Sequence, residues 1–328
     1  MNGAAATRSQ LIDTMARGLR WLDRQIGQIV TPPAPRQRVP AKMSDIQLQQ
    51  DINDVGAVLM NSLQDIIKGS FVGDAAHGDL RFPHKMHTSV RGQTLTLFMQ
   101  AHDAYGLTLR GLNAHASAAA LGPIRNILET LAVTRWLLEG TDDQVRHARA
   151  YGLALDGIDQ YGKVARMLEQ SAETRGFADK LAAGAKRMGD NLNQLAQQDG
   201  ITIERKPAKW SVLVERYVPE PGRLSYAMLS SAGVHPGAIR STLFYGRPGM
   251  GKVDYDFKGM HALRAYWIGQ AIGLYLELCQ LVAPVLGWPP EWDEIQAATQ
   301  TQLQPLADEA ERRHSRPMLQ ALASASAV

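Results

Sequence analysis

The residues of this chain best suited to chemistry fall in two short segments about a hundred positions apart. In RNILETLAVTRWLLE, Arg125 and Glu129 stand four residues apart and, on a helix, share a face with Ala132 and Trp136. The opposite face carries Ile124, Leu128, Leu131 and Leu138. An Arg–Glu pair at the border of such an apolar stripe forms either an exposed ion pair worth a few tenths of a kcal/mol or one edge of a polar cleft. The second segment is SYAMLSSAGVHPG. Tyr226 and Ser230 again share a helical face, Gly233 is a natural helix stop, and His235, restricted by Pro236, follows it. An imidazole beside the free carbonyls of a helix end is favoured in its charged form and suits proton transfer near neutral pH; the plainer alternative is a histidine that only caps those carbonyls.

The pattern Arg-x-x-x-Glu, then Tyr-x-x-Leu-Ser-x-x-x-x-His, carried here by Arg125, Glu129, Tyr226, Leu229, Ser230 and His235, resembles a group of uncharacterised bacterial all-helical proteins that are distantly HEPN-like. The resemblance covers residues 89–286. It implies an all-α bundle in which those side chains converge on one pocket, with no implied reaction. HEPN ribonucleases use an arginine followed after four to six residues by histidine, and Arg110-Gly-Leu-Asn-Ala-His115 fits that count. The resemblance thus implies an alternative site, Arg110 and His115, acting on an RNA phosphodiester by metal-independent acid/base chemistry. Gly111 stands where that motif has a polar residue, and the motif precedes the Arg125 helix.

Two other motifs carry less. Gly246-Arg-Pro-Gly-Met-Gly251-Lys252 satisfies the first seven positions of a phosphate loop, but Val253 occupies the place of the magnesium-binding hydroxyl and no helix opening follows. His77, His84 and His87, with Asp74 and Asp79, offer metal-ligand atoms without a recognised ligand spacing, and a plain surface loop is the expectation. No cofactor and no metal is therefore expected.

The elements that must position these groups are helices. Glycine-bounded apolar stripes at steps of three and four recur along the chain, and strand-like runs are too few for a sheet-based fold. The expected fold is an all-α multi-helix bundle, with one small hairpin or irregular loop near 241–257. The expected organisation is an arm helix (1–30), a Pro-rich linker (31–42), the helical bundle (43–303) and a polar C-terminal tail (304–328). In the arm, Ile12, Met15, Leu19, Leu22, Ile26 and Ile29 follow coiled-coil spacing. The TPPAPRQRVP that follows cannot continue a helix and reaches roughly 30 Å when extended. An arm on such a tether docks either on its own body or on a second subunit, and a homodimer through the arm is the expectation. Within the bundle, helices are expected over 44–68 (Ser44 as N-cap; Ile46, Val55, Leu59, Leu63 and Ile66 or Ile67 as the stripe), 123–139, 142–170, 177–197, 210–217, 223–232 and 258–286, with a polar helix after Pro290. Residues 69–87 read as a long loop. Gly140 is expected to end one helix in the left-handed region and Thr141 to cap the next, with Gln144 at the capping-box position.

Composition narrows the setting. The 328 residues carry a net charge of +3 with 20% charged residues, giving a weak overall field and no basic run of the kind nucleic-acid proteins show. A single cysteine, Cys279, excludes an internal disulfide and fits a reducing compartment. The N-terminus lacks a signal-peptide core. Ala265 to Trp288 is apolar enough to span a bilayer, but it contains Gln270, Glu277, Gln280 and Pro284, so a buried core helix is expected. The sequence thus points to a cytoplasmic protein without a membrane span. It acts as a binding, sensor or scaffold protein using the Arg/Glu/Tyr/His pocket, or as an RNA-cleaving effector, or as a small-molecule enzyme using the same pocket.

Overall fold

The computed structural model describes residues 43–76, 89–113, 121–140, 142–171, 173–218, 226, 229–230 and 257–326; side chains of 70–76, 113, 257–260 and 314–326 are not part of that description. Eight helices lie in it: α1 (Asp45–Ala76), α2 (Val90–Asn113), α3 (Leu121–Leu138), α4 (Asp143–Leu168), α5 (Arg175–Gln198), α6 (Trp210–Tyr217), α7 (Phe257–Leu286) and α8 (Glu291–Ser326). The fold is an all-α bundle, and no strand occurs among the described residues. The arm, the linker and residues 241–256 lie outside them.

The bundle is organised around α7. A helix that is apolar nearly all round has no solvent face and belongs at the centre. Accordingly α1, α2, α3 and α8 all pack on α7, where Ala265, Ile268, Ala271, Ile272, Tyr275, Leu278, Cys279 and Val282 are fully buried. By length and composition alone, His261–Leu286 would also suit a membrane. Its one interior carboxylate, Glu277, is paired with Arg135 of α3. The helix ends at Gly287, whose φ of 68° lets the Trp288 amide reach back to Ala283 O at 3.0 Å.

Local chemistry explains most boundaries. Ser44 caps α1 by accepting the Gln47 amide at 3.1 Å, and Ser89 does the same for α2 with the Gly92 amide at 3.0 Å. The α1 stripe buries Leu48, Ile52, Val55, Leu59, Leu63 and Ile67, but Ile46, expected in it, is 52% exposed. Helix α1 also runs on to Ala76, into the segment read as loop from Gly69. Gly69 and Gly73 each cost such a helix about 1 kcal/mol relative to Ala, which weakens it without ending it. The α3–α4 junction differs from expectation as well. Asp142, not Thr141, caps α4, accepting the Val145 amide at 2.9 Å. Gly140 is not left-handed; a Cβ there would stand 3.0 Å from Val145 Cγ1 and 3.1 Å from Arg146 Cγ, so close passage of the chain is what uses the glycine.

Helices α4 and α5 form an antiparallel hairpin with its own small core, Tyr151, Leu155, Leu192 and Ala196. Gly200, at φ 67°, turns the chain out of α5. An extended stretch, 201–207, then runs back along α4, with the Glu204 amide donating to Ala148 O at 3.2 Å. A Cβ on Gly152 would come within 2.0 Å of Glu204 O, so only glycine admits this contact. At the other end of the chain, α8 passes through position 304 without a break. Leu306 and Ala307 pack on the core, Ala310 is fully buried, and Arg313 pairs with Asp45 at 2.6 Å.

Candidate functional site: the Arg125–Glu129–Tyr226 cluster

Helix α3 reaches its neighbours through Leu121, Ile124, Ile127, Leu128, Leu131, Ala132 and Val133, all buried against the central core. This packing leaves Arg125 and Glu129 at its margin, with side chains 20% and 14% exposed. The pair is therefore not a solvated surface ion pair. Arg125 Nε donates to Glu129 Oε1 at 2.8 Å, and Nη2 donates to the Tyr226 hydroxyl at 2.8 Å. The guanidinium also lies over the Tyr226 ring, 4.9 Å from its centroid. The Tyr226 hydroxyl in turn interacts with the Glu129 carboxylate. Three polar side chains from two distant segments thus close a triangle, and residues 125, 129 and 226 meet as the sequence pattern implied.

The electrostatics follow from the geometry. Burial alone would lower the Arg125 guanidinium, but the hydrogen bond and charge of Glu129, with Tyr226 behind them, outweigh it and hold the group above the usual arginine range. The Tyr226 phenol is raised, first by burial and then by the Glu129 charge, with Arg125 opposing. At neutral pH Arg125 is thus a fixed cation and Tyr226 a neutral phenol.

One turn beyond Tyr226, Ser230 Oγ is buried with no hydrogen-bond partner; it is one of four such side-chain atoms among the described residues. Leu229 beside it is fully buried and anchors this turn to the core. Arg125 Nη1, for its part, takes no partner in the hydrogen bonds and ion pairs of the described residues. A guanidinium clamped on two nitrogens, with no partner for the third among the described residues, holds that donor in a fixed direction.

The remaining expected site residues divide plainly. His235 lies outside the described residues, as does His115. Arg110 sits exposed in the last turn of α2. The phosphate-loop-like segment 246–253 and the loop residues His77, His84, His87 and Asp79 also lie outside them, and the side chain of Asp74 is not described. Among the described residues, no group of three or more His, Cys, Asp and Glu is placed to hold a metal ion.

Sequence reasoning missed a second arginine cluster on the same helix. Arg135 pairs with Glu277 of α7 and donates through Nη1 to Tyr217 O at 2.6 Å, tying α3 to both α7 and the end of α6. Two turns beyond the Asp142 cap, on α4, Arg149 donates to Trp136 O, pairs with Glu204 at 3.1 Å and lies over the Trp136 ring. A signal was present: Glu277, the lone acid in an apolar helix, had to have a cationic partner. No family model, no curated protein and no solved structure matches the chain.

Proposed function

We propose that this protein is a helical binding protein whose recognition site is the Arg125–Glu129–Tyr226–Ser230 cluster. The observation that carries the reading is the buried Ser230 hydroxyl without a partner among the described residues, one turn from the phenol that holds Arg125. An unsatisfied buried hydroxyl costs about 1–3 kcal/mol, and a ligand oxygen that bridges it to Arg125 Nη1 removes that cost. Arg125 and Glu129 cancel in charge, so the site favours a compact ligand with one acceptor group for the guanidinium and a second polar group near Ser230. A large polyanion finds no unopposed charge in this cluster. Tyr226 stays protonated at neutral pH and serves as donor or acceptor. An enzyme working on a small molecule would use the same groups, with His235 as its proton carrier.

Thermal denaturation against a panel of small carboxylates, amides and nucleoside monophosphates tests the reading. At least one compound raises the melting temperature of the wild type, and the rise is lost in Arg125→Gln and kept in Arg110→Gln. A panel without effect, together with a Ser230→Ala variant more stable than the wild type, marks the cluster as a packing feature.

A second reading, RNA cleavage, has one observation in its favour: Arg110 is exposed at the end of α2, where a phosphodiester can reach it. It requires cleavage of RNA by the purified protein that is lost in Arg110→Ala and in His115→Ala or His235→Ala.

A further inference from the structure

The α4–α5 hairpin has two unlike faces. Its seam is built from Tyr151, Leu155 and Ala165 on α4 and Ala178, Ala185, Leu192 and Ala196 on α5, all buried. At about 100° per residue, the positions on one side of that seam are Ala154, Gly157, Tyr161, Val164 and Leu168 on α4, and Phe177, Leu181, Gly184, Met188, Asn191 and Leu195 on α5. In an antiparallel pair these two rows lie on the same face, since a two-fold axis through the seam interchanges them. The face has no charged residue along its length. The other side of the seam carries Asp156, Asp159, Lys163 and Arg166 on α4 and Asp179, Lys186 and Asp190 on α5.

Among the described residues the charged side is covered and the apolar one is exposed. The extended stretch 201–207 lies on the charged side, where Arg205 bridges Asp156 at 3.1 Å and Asp159 at 2.5 Å and Lys206 reaches Asp156 at 3.4 Å. On the uncharged side Phe177 is 62% exposed, Tyr161 52%, Met188 51% and Val164 45%. Four large apolar side chains exposed on one face of a two-helix hairpin mark an interaction surface.

We propose that this face is the docking site of the chain's own N-terminal arm, residues 9–30, which completes a three-helix coiled coil with α4 and α5. The arm is the one segment of the sequence, outside the described residues, whose apolar positions follow an unbroken coiled-coil seam, from Ile12 to Ile29. That seam spans about 25 Å at helical rise, and the uncharged row from Phe177 to Leu195 spans about 27 Å. The tether also reaches. Helix α1 begins beside the end of α2, where Gln49 donates to Leu112 O at 3.5 Å, whereas the hairpin springs from the far end of α3, where Arg149 holds Trp136 O. The path between them is the length of α3, about 27 Å, and the ten linker residues 31–40 extend to roughly 30 Å.

The test uses the full-length chain, in which the sole native cysteine is buried. Leu19→Cys is combined with Gly184→Cys, both near the middle of their rows, so that either arm direction brings them together. A Cβ on Gly184 meets nothing within 4 Å. Mild oxidation is expected to give an intrachain disulfide in monomeric protein, and Leu19→Cys with Lys186→Cys, on the charged face, to give little. Equal yields with both partners overturn the proposal. A disulfide found only between chains in a dimer also overturns it, since the occupant is then a second copy's arm. As an independent reading, Phe177→Asp with Met188→Asp, both exposed and therefore compatible with folding, is expected to speed tryptic cleavage at Arg17, Arg20 and Arg24 severalfold. Unchanged cleavage contradicts the proposal.

Discussion

Helix α3 carries two arginines ten residues apart, each paired with a glutamate, and the two pairs are built for different ends. Arg135 is spent on structure: one nitrogen holds the Tyr217 carbonyl, another holds Glu277, and together they join α3 to α6 and α7. Burial lowers its guanidinium below the usual arginine range. Arg125 pairs within its own helix and with Tyr226, has no partner for Nη1 among the described residues, and is held above the usual range by its neighbours, which overcome its burial. The same kind of ion pair therefore makes a brace where its arginine links three elements and a presenting group where it links two. Each guanidinium uses two nitrogens; what decides is where they reach, to α6 and α7 for Arg135 and to its own helix and Tyr226 for Arg125, and that cannot be read from the charge pattern.

The largest expected effect breaks the brace. Glu277→Ala strands Arg135 beside the core and is expected to cost about 3 kcal/mol, the low end for a buried pair because both side chains keep some solvent. The urea midpoint measures it, and ligand-induced stabilisation is expected to survive. Arg125→Gln reverses that pattern: about 1 kcal/mol of stability is lost, and the response to ligand disappears. Tyr226→Phe removes the hydroxyl that orients the guanidinium; a cost of about 1 kcal/mol or less is expected, with weakened binding. A double-mutant cycle sharpens the contrast, with a larger coupling energy for Arg135–Glu277 than for Arg125–Glu129.

The pH dependence separates the core from both arginines, which stay charged throughout. Burial raises the phenols of Tyr105 and Tyr275 and the thiol of Cys279. These groups ionise in the unfolded chain first, near 9.0 for Cys and 10.0 for Tyr. Above those values the unfolded state binds fewer protons, so stability is expected to fall as pH rises, and denaturant titration between pH 8 and about 11 reads it. The smallest effect is at the acid side. His102, bonded through Nδ1 to the Tyr275 hydroxyl at 2.7 Å, is lowered by burial, against Asp103. It is expected to cost stability as pH falls below 6.5, and His102→Gln flattens that limb.

Much of the architecture was legible because it is local. The Ser44 cap, the identical bounds of α6 and the central position of α7 follow from spacing and composition within one segment. The i, i+4 placements of Arg125 with Glu129 and of Tyr226 with Ser230 were legible in the same way. The meeting of Arg125 with Tyr226, 101 positions apart, was implied only by a resemblance and not by anything local. Arg135–Glu277 escaped notice because its partners are 142 positions apart. The path of 201–207 escaped too, since a single glycine, Gly152, decides it through a contact that no periodicity encodes. Gly69 and Gly73 misled in the opposite sense, because their cost is small beside the helix that leads into them.

Native mass spectrometry of the protein as purified tests most directly whether Arg125 and Ser230 form a binding site. The account predicts that the wild type retains a small noncovalent adduct, or takes one up from the stabilising compound of the panel. It also predicts that Arg125→Gln appears at its bare mass while Arg135→Gln, if folded, keeps the adduct. Identical spectra for the wild type and Arg125→Gln, with and without the panel compounds, would contradict it.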